Sequence, residues 1–66
     1  MKNSIVEYRQ QRGYSQEKFA QLLNVSRQTI ISIEKGKYNP SLPLAMKIAQ
    51  MFETSVELIF ILEEDD

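Results

Sequence analysis

Apolar residues recur at helical spacing along most of the chain, and short segments rich in polar residues or glycine separate them. The apolar stripes of the first four predicted helices are Ile5 and Tyr8; Phe19, Ala20, Leu22 and Leu23; Ile30 and Ile33; and Leu44, Ala45, Ile48, Ala49 and Phe52. The predicted boundaries are 4–12 for helix 1, a start after Ser15 for helix 2, 27–35 for helix 3, a start after Ser41 for helix 4 and 55–60 for helix 5. The pattern predicts an all-α fold, a compact five-helix bundle that forms a single domain over residues 1–66.

Residues that favour helix ends stand at the predicted boundaries. The candidates for N-caps are Ser4, Ser15, Ser26, Ser41 and Thr54. Glu7 and Glu57 follow the first and the last of these by three residues, which is the spacing of a capping box. Asn24 tolerates the left-handed backbone conformation that ends a helix, and Gly13 and Gly36 can adopt it at two other ends. The boundary residues therefore support the helices that the stripes predict.

The segment from Ser15 to Gly36 is the most informative part of the chain. It predicts two short helices joined by a tight turn over 24–26, and the second helix opens with the polar residues Arg27 and Gln28. Two helices joined in this way form a helix-turn-helix, whose second helix lies in the major groove in the proteins that use it to recognise DNA. The pattern thus indicates a protein that binds double-stranded DNA.

The distribution of charge matters more for this prediction than the net charge of −1. All eight Lys and Arg residues lie within 1–50, where only three Glu residues oppose them, so this part of the chain carries a net charge of +5. Residues 51–66 contain six acidic residues and no basic one, which gives −6. This division allows a basic face for DNA with an acidic pole turned away from it, or an acidic end that serves only solubility.

Composition argues against catalysis and against a metal site. The chain contains neither Cys nor His, which removes most metal sites and the usual pairs of nucleophile and base. A chain of 66 residues also has little room for a deep pocket. We therefore expect no enzyme activity, no metal, no cofactor and no small-molecule ligand. The lack of Cys fits the cytoplasm, and no apolar stretch is long enough for a signal peptide or a membrane span.

Two charged residues fall on the core side of predicted helices. Arg9 follows Ile5 by four residues in helix 1, and Glu34 follows Ile30 by four residues in helix 3. Because an isolated buried charge is costly, such groups need partners. We expect an ion pair between Arg9 and Glu34 that joins helix 1 to helix 3. The alternative is that both side chains lie in solvent at the edge of the stripes.

The spacing of these residues resembles that of the phage Cro/repressor-type helix-turn-helix family, also called the xenobiotic-response-element type. The residues that carry the resemblance are Arg9, Arg12, Gly13, Ser15, Gln16, Ala20, Val25, Ser26, Thr29, Ile30, Ile33, Glu34, Gly36 and Lys37. The likeness extends from about residue 5 to residue 60, and the chain looks like the short stand-alone bacterial transcriptional regulators of this family. The resemblance implies a sequence-specific DNA-binding regulator, most often a repressor.

The same resemblance implies DNA contacts for particular side chains. Base edges would be contacted by Arg27, Gln28 and Ser32. Phosphates would be contacted by Gln16, Ser26, Thr29, Lys35, Lys37 and Tyr38. Base readout by the first two has a physical reason, because Arg can form two hydrogen bonds with guanine and Gln can form two with adenine. Ile31 departs from the family, whose members usually have a polar residue at that position.

Five apolar residues follow one another near the carboxyl end, over 58–62. The core needs only part of this run, which leaves Leu58, Ile61 and Leu62 as surplus, and contiguous apolar surface often marks an interface. We expect a twofold homodimer through a dimerisation tail over about 56–66. Within it, residues 59–63 form either the end of helix 5 or a short strand that pairs with its copy in the second chain. The alternative is a monomer whose tail folds onto its own bundle.

A dimer would present two recognition helices roughly 34 Å apart, which is one turn of DNA, so the expected operator is an inverted repeat. The main alternative function is a protein-interaction module such as an antitoxin, in which the apolar tail binds another protein. Antitoxins commonly carry an added segment for the toxin, and the sequence contains no obvious one. A regulator that binds DNA as a homodimer is therefore the leading hypothesis.

Overall fold

Five helices and a two-stranded ribbon make up the computed structural model, which describes residues 1–66. In chain order the elements are β1 (Lys2–Asn3), α1 (Ile5–Gln11), α2 (Gln16–Leu23), α3 (Arg27–Glu34), α4 (Leu42–Met51), α5 (Val56–Ile59) and β2 (Phe60–Ile61). The prediction of a helical bundle with a helix-turn-helix is confirmed, and the ribbon is added to it. The longest helix has ten residues, and none of the helices is both long enough and apolar enough to cross a membrane.

A single apolar core holds the helices together. Its buried members are Ile5, Phe19, Ala20, Leu23, Ile30, Ile33, Ala45, Ile48, Ala49, Phe52, Ile59 and Phe60. The ring of Phe52 stacks between those of Tyr8 and Phe19, with centroid distances of 5.2 and 5.1 Å, and so joins α1, α2 and α4. The prediction for Leu22 is wrong, because 47% of this residue is exposed in a groove beside Met51 of α4. The buried apolar face of α2 is therefore narrower than the spacing of its apolar residues suggested.

Serine side chains cap three of the helices as predicted. The hydroxyl groups of Ser15, Ser26 and Ser41 accept hydrogen bonds from backbone N–H groups three residues later, at 3.0, 3.1 and 3.3 Å. Asn24 ends α2 with a φ of 59°, in the left-handed region that the turn requires. These local signals fix the turn between α2 and α3 and with it the angle at which α3 leaves the bundle.

The two predicted capping boxes are absent. Ser4 precedes α1 but its side chain makes no capping hydrogen bond, because its own backbone N–H donates to the carbonyl of Ile59 at 2.9 Å and its φ and ψ are −114° and 27°. The Oδ1 atom of Asn3 accepts the N–H of Ile5 instead, at 3.3 Å. Before α5 the capping position is Ser55, without a side-chain bond. At α1, long-range pairing of the chain ends thus overrides the local signal. α5 begins one residue later than a box at Thr54 requires.

The tail forms a strand, but its partner differs from the one expected. α5 ends at Ile59, and β2 pairs antiparallel with β1 of the same chain, with Lys2 opposite Ile61 and Asn3 opposite Phe60. Phe60 is buried in the core, so β2 is fixed to the bundle, whereas Ile61 on the other side of the strand is exposed. The sequence carries no signal for β1, because two polar residues pair here through their backbone groups alone.

The ribbon brings both ends of the chain close to the carboxyl end of α3. The ammonium group of Met1 lies 3.5 Å from Oδ1 of Asp66, and the N–H of Glu63 donates to Oδ2 of the same carboxylate at 2.8 Å. That backbone hydrogen bond, assisted by the ammonium group, lowers the pKa of Asp66. The carbonyl oxygen of Met1 lies 3.2 Å from the position that a Cβ on Gly36 would take, and Gly36 has a φ of 75°. Glycine is therefore required where α3 ends against the ribbon.

Candidate nucleic-acid interface

The outward face of α3 carries the side chains that were expected to contact bases. Ile30 and Ile33 are buried on the inner face, and this fixes the rotation of the helix about its axis. Arg27 and Gln28 are exposed in the first turn, and Ser32 is half-buried one turn later. The side chains that the sequence predicts to contact bases therefore lie together on the outward side of α3, which a DNA groove can approach.

Gln28 and Ser32 are bonded to each other. The Nε2 atom of Gln28 donates to the Oγ atom of Ser32 at 3.3 Å. One amide proton and the carbonyl oxygen of Gln28 remain, which are the two groups that a bidentate contact with adenine uses. The hydroxyl proton of Ser32 also remains available. The bond therefore orders both side chains without removing their capacity to read a base.

Arg27 lies in a shallow depression between the first turns of α2 and α3. The depression has a volume of about 380 Å³, and its walls are Arg9, Ser15, Gln16, Glu17 and Arg27. The guanidinium group of Arg27 has no carboxylate within ion-pair distance and no hydrogen-bond partner in the protein. All five of its N–H donors are consequently available for a guanine edge or a phosphate.

Three of the six expected phosphate contacts line a second groove beside α3. Ser26, Gln28, Thr29, Ser32 and Tyr38 surround a volume of about 260 Å³. The hydroxyl oxygens of Ser26 and Thr29 are 2.9 Å apart and share one hydrogen bond, which uses only one of their two protons. The other hydroxyl can still donate. The structure thus brings five of the predicted side chains together on one flank of the recognition helix.

Sequence reasoning missed Lys47, which lies on the same flank. A groove of about 370 Å³ runs from Thr29 and Tyr38 to Ser41, which caps α4, and to Lys47 in the middle of that helix. Lys47 is exposed and has no carboxylate within ion-pair distance. No motif in the sequence marks this residue, since only the packing of α4 beside α3 brings it there.

Lys35 and Lys37 lie beyond the carboxyl end of α3 and outside these grooves. Lys35 shares a separate pocket of about 260 Å³ with Met1, Lys2 and Gly36, while Lys37 is exposed in the loop that follows. Glu63 lines the same pocket as Lys35. The acidic end of the chain therefore begins beside α3, and the expected acidic pole is not wholly turned away from the recognition helix.

Two arginines are engaged by hydrogen bonds within the fold. Arg12 donates to the carbonyl groups of Phe52 and Met51 at the end of α4, at 2.9 and 3.4 Å, and Arg9 pairs with Glu34. The other six basic side chains form no ion pair: Lys2, Lys18, Arg27, Lys35, Lys37 and Lys47. Four of these six lie on α3, in the loop after it, or in the groove beside it, so the unpaired positive charge is concentrated there.

The ion pair expected between helix 1 and helix 3 is present in the structure. The Nε atom of Arg9 lies 2.9 Å from Oε2 of Glu34, and the Nε2 atom of Gln16 donates to Oε1 of the same carboxylate at 3.0 Å. Arg9 also donates to the carbonyl of Tyr14 at 2.9 Å. Only 12% of the Arg9 side chain and 6% of the Glu34 side chain are exposed. The cluster of Arg9, Gln16 and Glu34 ties α1 and α2 to the last turn of α3.

Comparison with known proteins agrees with this geometry. The helix-turn-helix family model HTH_3 matches residues 5–59. The chain is 56% identical over its full length to the whole of the uncharacterized HTH-type transcriptional regulator MJ0272 of Methanocaldococcus jannaschii, and 50% identical to the whole of the uncharacterized HTH-type transcriptional regulator YgzD of Bacillus subtilis. A third relative, an uncharacterized HTH-type transcriptional regulator of Archaeoglobus fulgidus, is 47% identical and is covered over 93% of its length.

These relatives come from archaea as well as from a bacterium, so the likeness does not assign the chain to bacteria. It does extend over the recognition helix, the core and the tail, since the matches span the whole chain. The family model itself begins at Ile5 in α1 and ends at Ile59 in α5. The chain belongs to the helix-turn-helix family of the Cro/C1 type.

Proposed function

We propose that the protein is a sequence-specific DNA-binding transcriptional regulator that acts as a repressor. It binds an inverted-repeat operator as a homodimer and places α3 in the major groove. The observation that carries this proposal is the outward face of α3, where Arg27, Gln28 and Ser32 project from a helix held by the core and by the buried Glu34 cluster. Membership of the family and the names of the relatives as transcriptional regulators support it.

The kind of DNA contact that each side chain makes, to a base or to a phosphate, follows from its chemistry. Arg27 and Gln28 contact base edges, because both can form two hydrogen bonds at once with one base. Gln16, Ser26, Thr29, Lys35, Lys37 and Tyr38 contact phosphates, and Lys47 joins them from α4. Phosphate contacts set the register of the protein on the duplex but carry no sequence information.

The most direct test of specificity is selection of bound duplexes from a random pool. A sequence-specific regulator enriches one motif, and a dimer enriches it as two half-sites in opposite orientation. Equal binding of the intact protein to random and selected duplexes would contradict the proposal. Repression is then tested with the selected operator placed across a promoter, where a bound dimer blocks access of the polymerase.

Replacing Arg27 with Ala is expected to relax the preference at a single base pair of each half-site. The loss of binding free energy is about 1–3 kcal/mol at each half-site, the range for one bidentate contact, and both half-sites of the operator contribute. The measurement is titration against operators that carry each of the four base pairs at every position. A loss that is uniform over all positions would instead assign Arg27 to a phosphate.

Replacing Lys37 with Ala is expected to weaken binding to all DNA sequences about equally. The plot of log affinity against log salt concentration becomes shallower by about 0.9 for each half-site, which is the contribution of one phosphate contact. Lys47→Ala should behave in the same way, whereas Lys18→Ala, a change of equal charge on α2, should leave the slope almost unchanged. If the slope of log affinity against log salt concentration is the same in Lys37→Ala and Lys18→Ala, Lys37 does not contact a phosphate.

The tail supports the homodimer. Leu58, Ile61 and Leu62 are 64%, 49% and 78% exposed, although all three are large apolar residues. Their exposure in a small domain is typical of an interface. Burial of these side chains against a second copy also adds apolar contacts to a domain whose small size limits its own core.

One edge of β2 remains open for that copy. Since Ser4 pairs with Ile59 and Lys2 pairs with Ile61, the backbone groups of Phe60 and Leu62 point away from β1. The N–H of Phe60 is already bonded to the carbonyl of Val56. The carbonyl of Phe60 and both backbone groups of Leu62 are left to pair with the second copy.

A further inference from the structure

Asn3 makes two hydrogen bonds to two different helices. Its Nδ2 atom donates to the carbonyl of Ile33 at 2.8 Å, and its Oδ1 atom accepts the N–H of Ile5 at 3.3 Å. The first bond reaches the carbonyl of Ile33 in the last turn of α3, which also accepts the N–H of Gly36 at 2.9 Å, so the carboxamide of Asn3 adds a second donor to this oxygen. The second occupies a free N–H group at the start of α1. A single carboxamide can serve both ends because it carries a donor and an acceptor.

The same residue belongs to the ribbon that contains the tail. Asn3 lies opposite Phe60 in the β1–β2 pair, and Phe60 is buried in the core. The next residue after Phe60 is Ile61, one of the exposed tail residues. A short chain of contacts therefore runs from the tail through β2 and Asn3 to the carbonyl of Ile33.

We propose that Asn3 is a positioning residue that fixes the carboxyl end of α3 relative to the tail and so sets the geometry of the two recognition helices in the dimer. The inference rests on the proposed homodimer, because only a dimer has two such helices. Asn3 acts through the backbone of α3 and needs no contact with DNA. Its effect appears as selectivity for the spacing between half-sites, since one base pair more or less turns one half-site by about 35° around the duplex.

Two substitutions at this position separate the two bonds. Asn3→Asp keeps an oxygen that can accept the N–H of Ile5, but it cannot donate to the carbonyl of Ile33. Asn3→Ala removes both bonds. Stability should fall in both variants, in Asn3→Ala because both bonds are lost and in Asn3→Asp because a carboxylate oxygen then faces the carbonyl of Ile33 at the negative end of α3. The positioning of α3 should be lost in both. Gln10→Glu introduces the same charge change at an exposed position of α1 and serves as the control.

The experiment uses the full chain and has two readouts. Hydrogen exchange measures the amides of Gly36 and Lys37, which follow α3 and donate to the carbonyls of Ile33 and Ser32. We expect exchange roughly three- to tenfold faster in Asn3→Asp, the effect of losing one hydrogen bond at this end of the helix. Titration against operators with the selected spacing and with one base pair added or removed measures selectivity. The intact protein should prefer the selected spacing, and both Asn3 variants should lose about threefold to tenfold at that spacing while changing little at the others.

The outcomes distinguish this inference from the function on which it rests. If the intact protein shows no preference for spacing, the proposed dimer on an inverted repeat fails, and the inference fails with it. If the intact protein prefers one spacing and Asn3→Asp keeps both that preference and the intact exchange rates, only the inference is overturned. A loss of affinity that is equal at every spacing and also occurs in Gln10→Glu assigns the effect to charge and overturns it as well.

Discussion

Replacing Glu34 with Ala is expected to lower the free energy of unfolding by about 3–5 kcal/mol, the range for removing one partner of a buried pair. The carboxylate accepts hydrogen bonds from Arg9 and Gln16, and only 6% of its side chain is exposed. Its removal leaves a guanidinium group that is 12% exposed without a counter-charge. Desolvation of that charge is then uncompensated, which is the physical origin of the loss.

Such a loss is at least about a third of the stability of a domain of this size, which is expected to be about 3–10 kcal/mol. The measurement is urea unfolding followed by circular dichroism, at one protein concentration so that a dimer does not bias the comparison. Glu34→Gln removes the charge but keeps the shape and one acceptor, and it provides a folded variant if Glu34→Ala does not fold. Glu64→Ala, an exposed change in the tail, is the control and should stay within about 0.5 kcal/mol of the parent.

A double-mutant cycle tests whether the effect belongs to the pair. Arg9→Ala together with Glu34→Ala should cost less than the sum of the two single changes, because no buried charge is left alone. Additive losses would mean that the two side chains do not interact. A loss under about 1 kcal/mol in Glu34→Ala would place the pair among exposed ion pairs, which contribute little.

The pair also illustrates which parts of the structure could be predicted from the sequence. Arg9 and Glu34 were placed together because each stands four residues after a core residue, and that argument needs only helical periodicity. Ser15, Ser26 and Asn24 were placed correctly for a similar reason, since caps and turns depend on local chemistry. Interactions that span a helix turn or a loop of a few residues are encoded nearby in the chain.

The features that escaped prediction depend on residues far apart. Asn3 and Ile33 are separated by 30 positions, and Lys47 reaches its groove only through the packing of α4. β1 consists of two polar residues without any strand pattern, and it forms because β2 offers its backbone groups. The capping box at Ser4 failed because the same ribbon takes the backbone N–H of that residue. These four misses are tertiary contacts that no local propensity describes.

Replacing Leu62 with Glu is expected to separate the proposed dimer and to reduce affinity for the full operator by about 100-fold or more, while affinity for an isolated half-site stays unchanged. Leu62 is 78% exposed in the single chain, so the change should not disturb the core. Across a twofold axis it would place two new carboxylates close together, in a tail that is already acidic. Repulsion between the carboxylates and the loss of apolar contact both destabilise the proposed dimer.

The size of this loss of affinity follows from the linkage of two DNA-binding domains in one dimer. Once the first DNA-binding domain of a dimer is bound, the second binds at a high effective concentration. This raises the affinity for the full operator by about 10²–10⁴ without any new contact. A monomer loses this factor on the full operator but reads each half-site as before. Comparing the two duplexes therefore separates the loss of dimerisation from damage to the recognition helix, which would weaken both.

Sedimentation velocity at micromolar concentration, together with titration of both duplexes, tests whether the tail forms the dimer interface. Leu22→Glu introduces the same change at an exposed Leu in the groove between α2 and α4, and it should leave the dimer intact. A parent protein that sediments only as a monomer, or a Leu62→Glu variant that remains a dimer, would contradict an interface built on the tail. If the parent is a dimer and Leu22→Glu is the variant that dissociates, the interface lies between α2 and α4, and the open edge of β2 plays no part in pairing the two recognition helices.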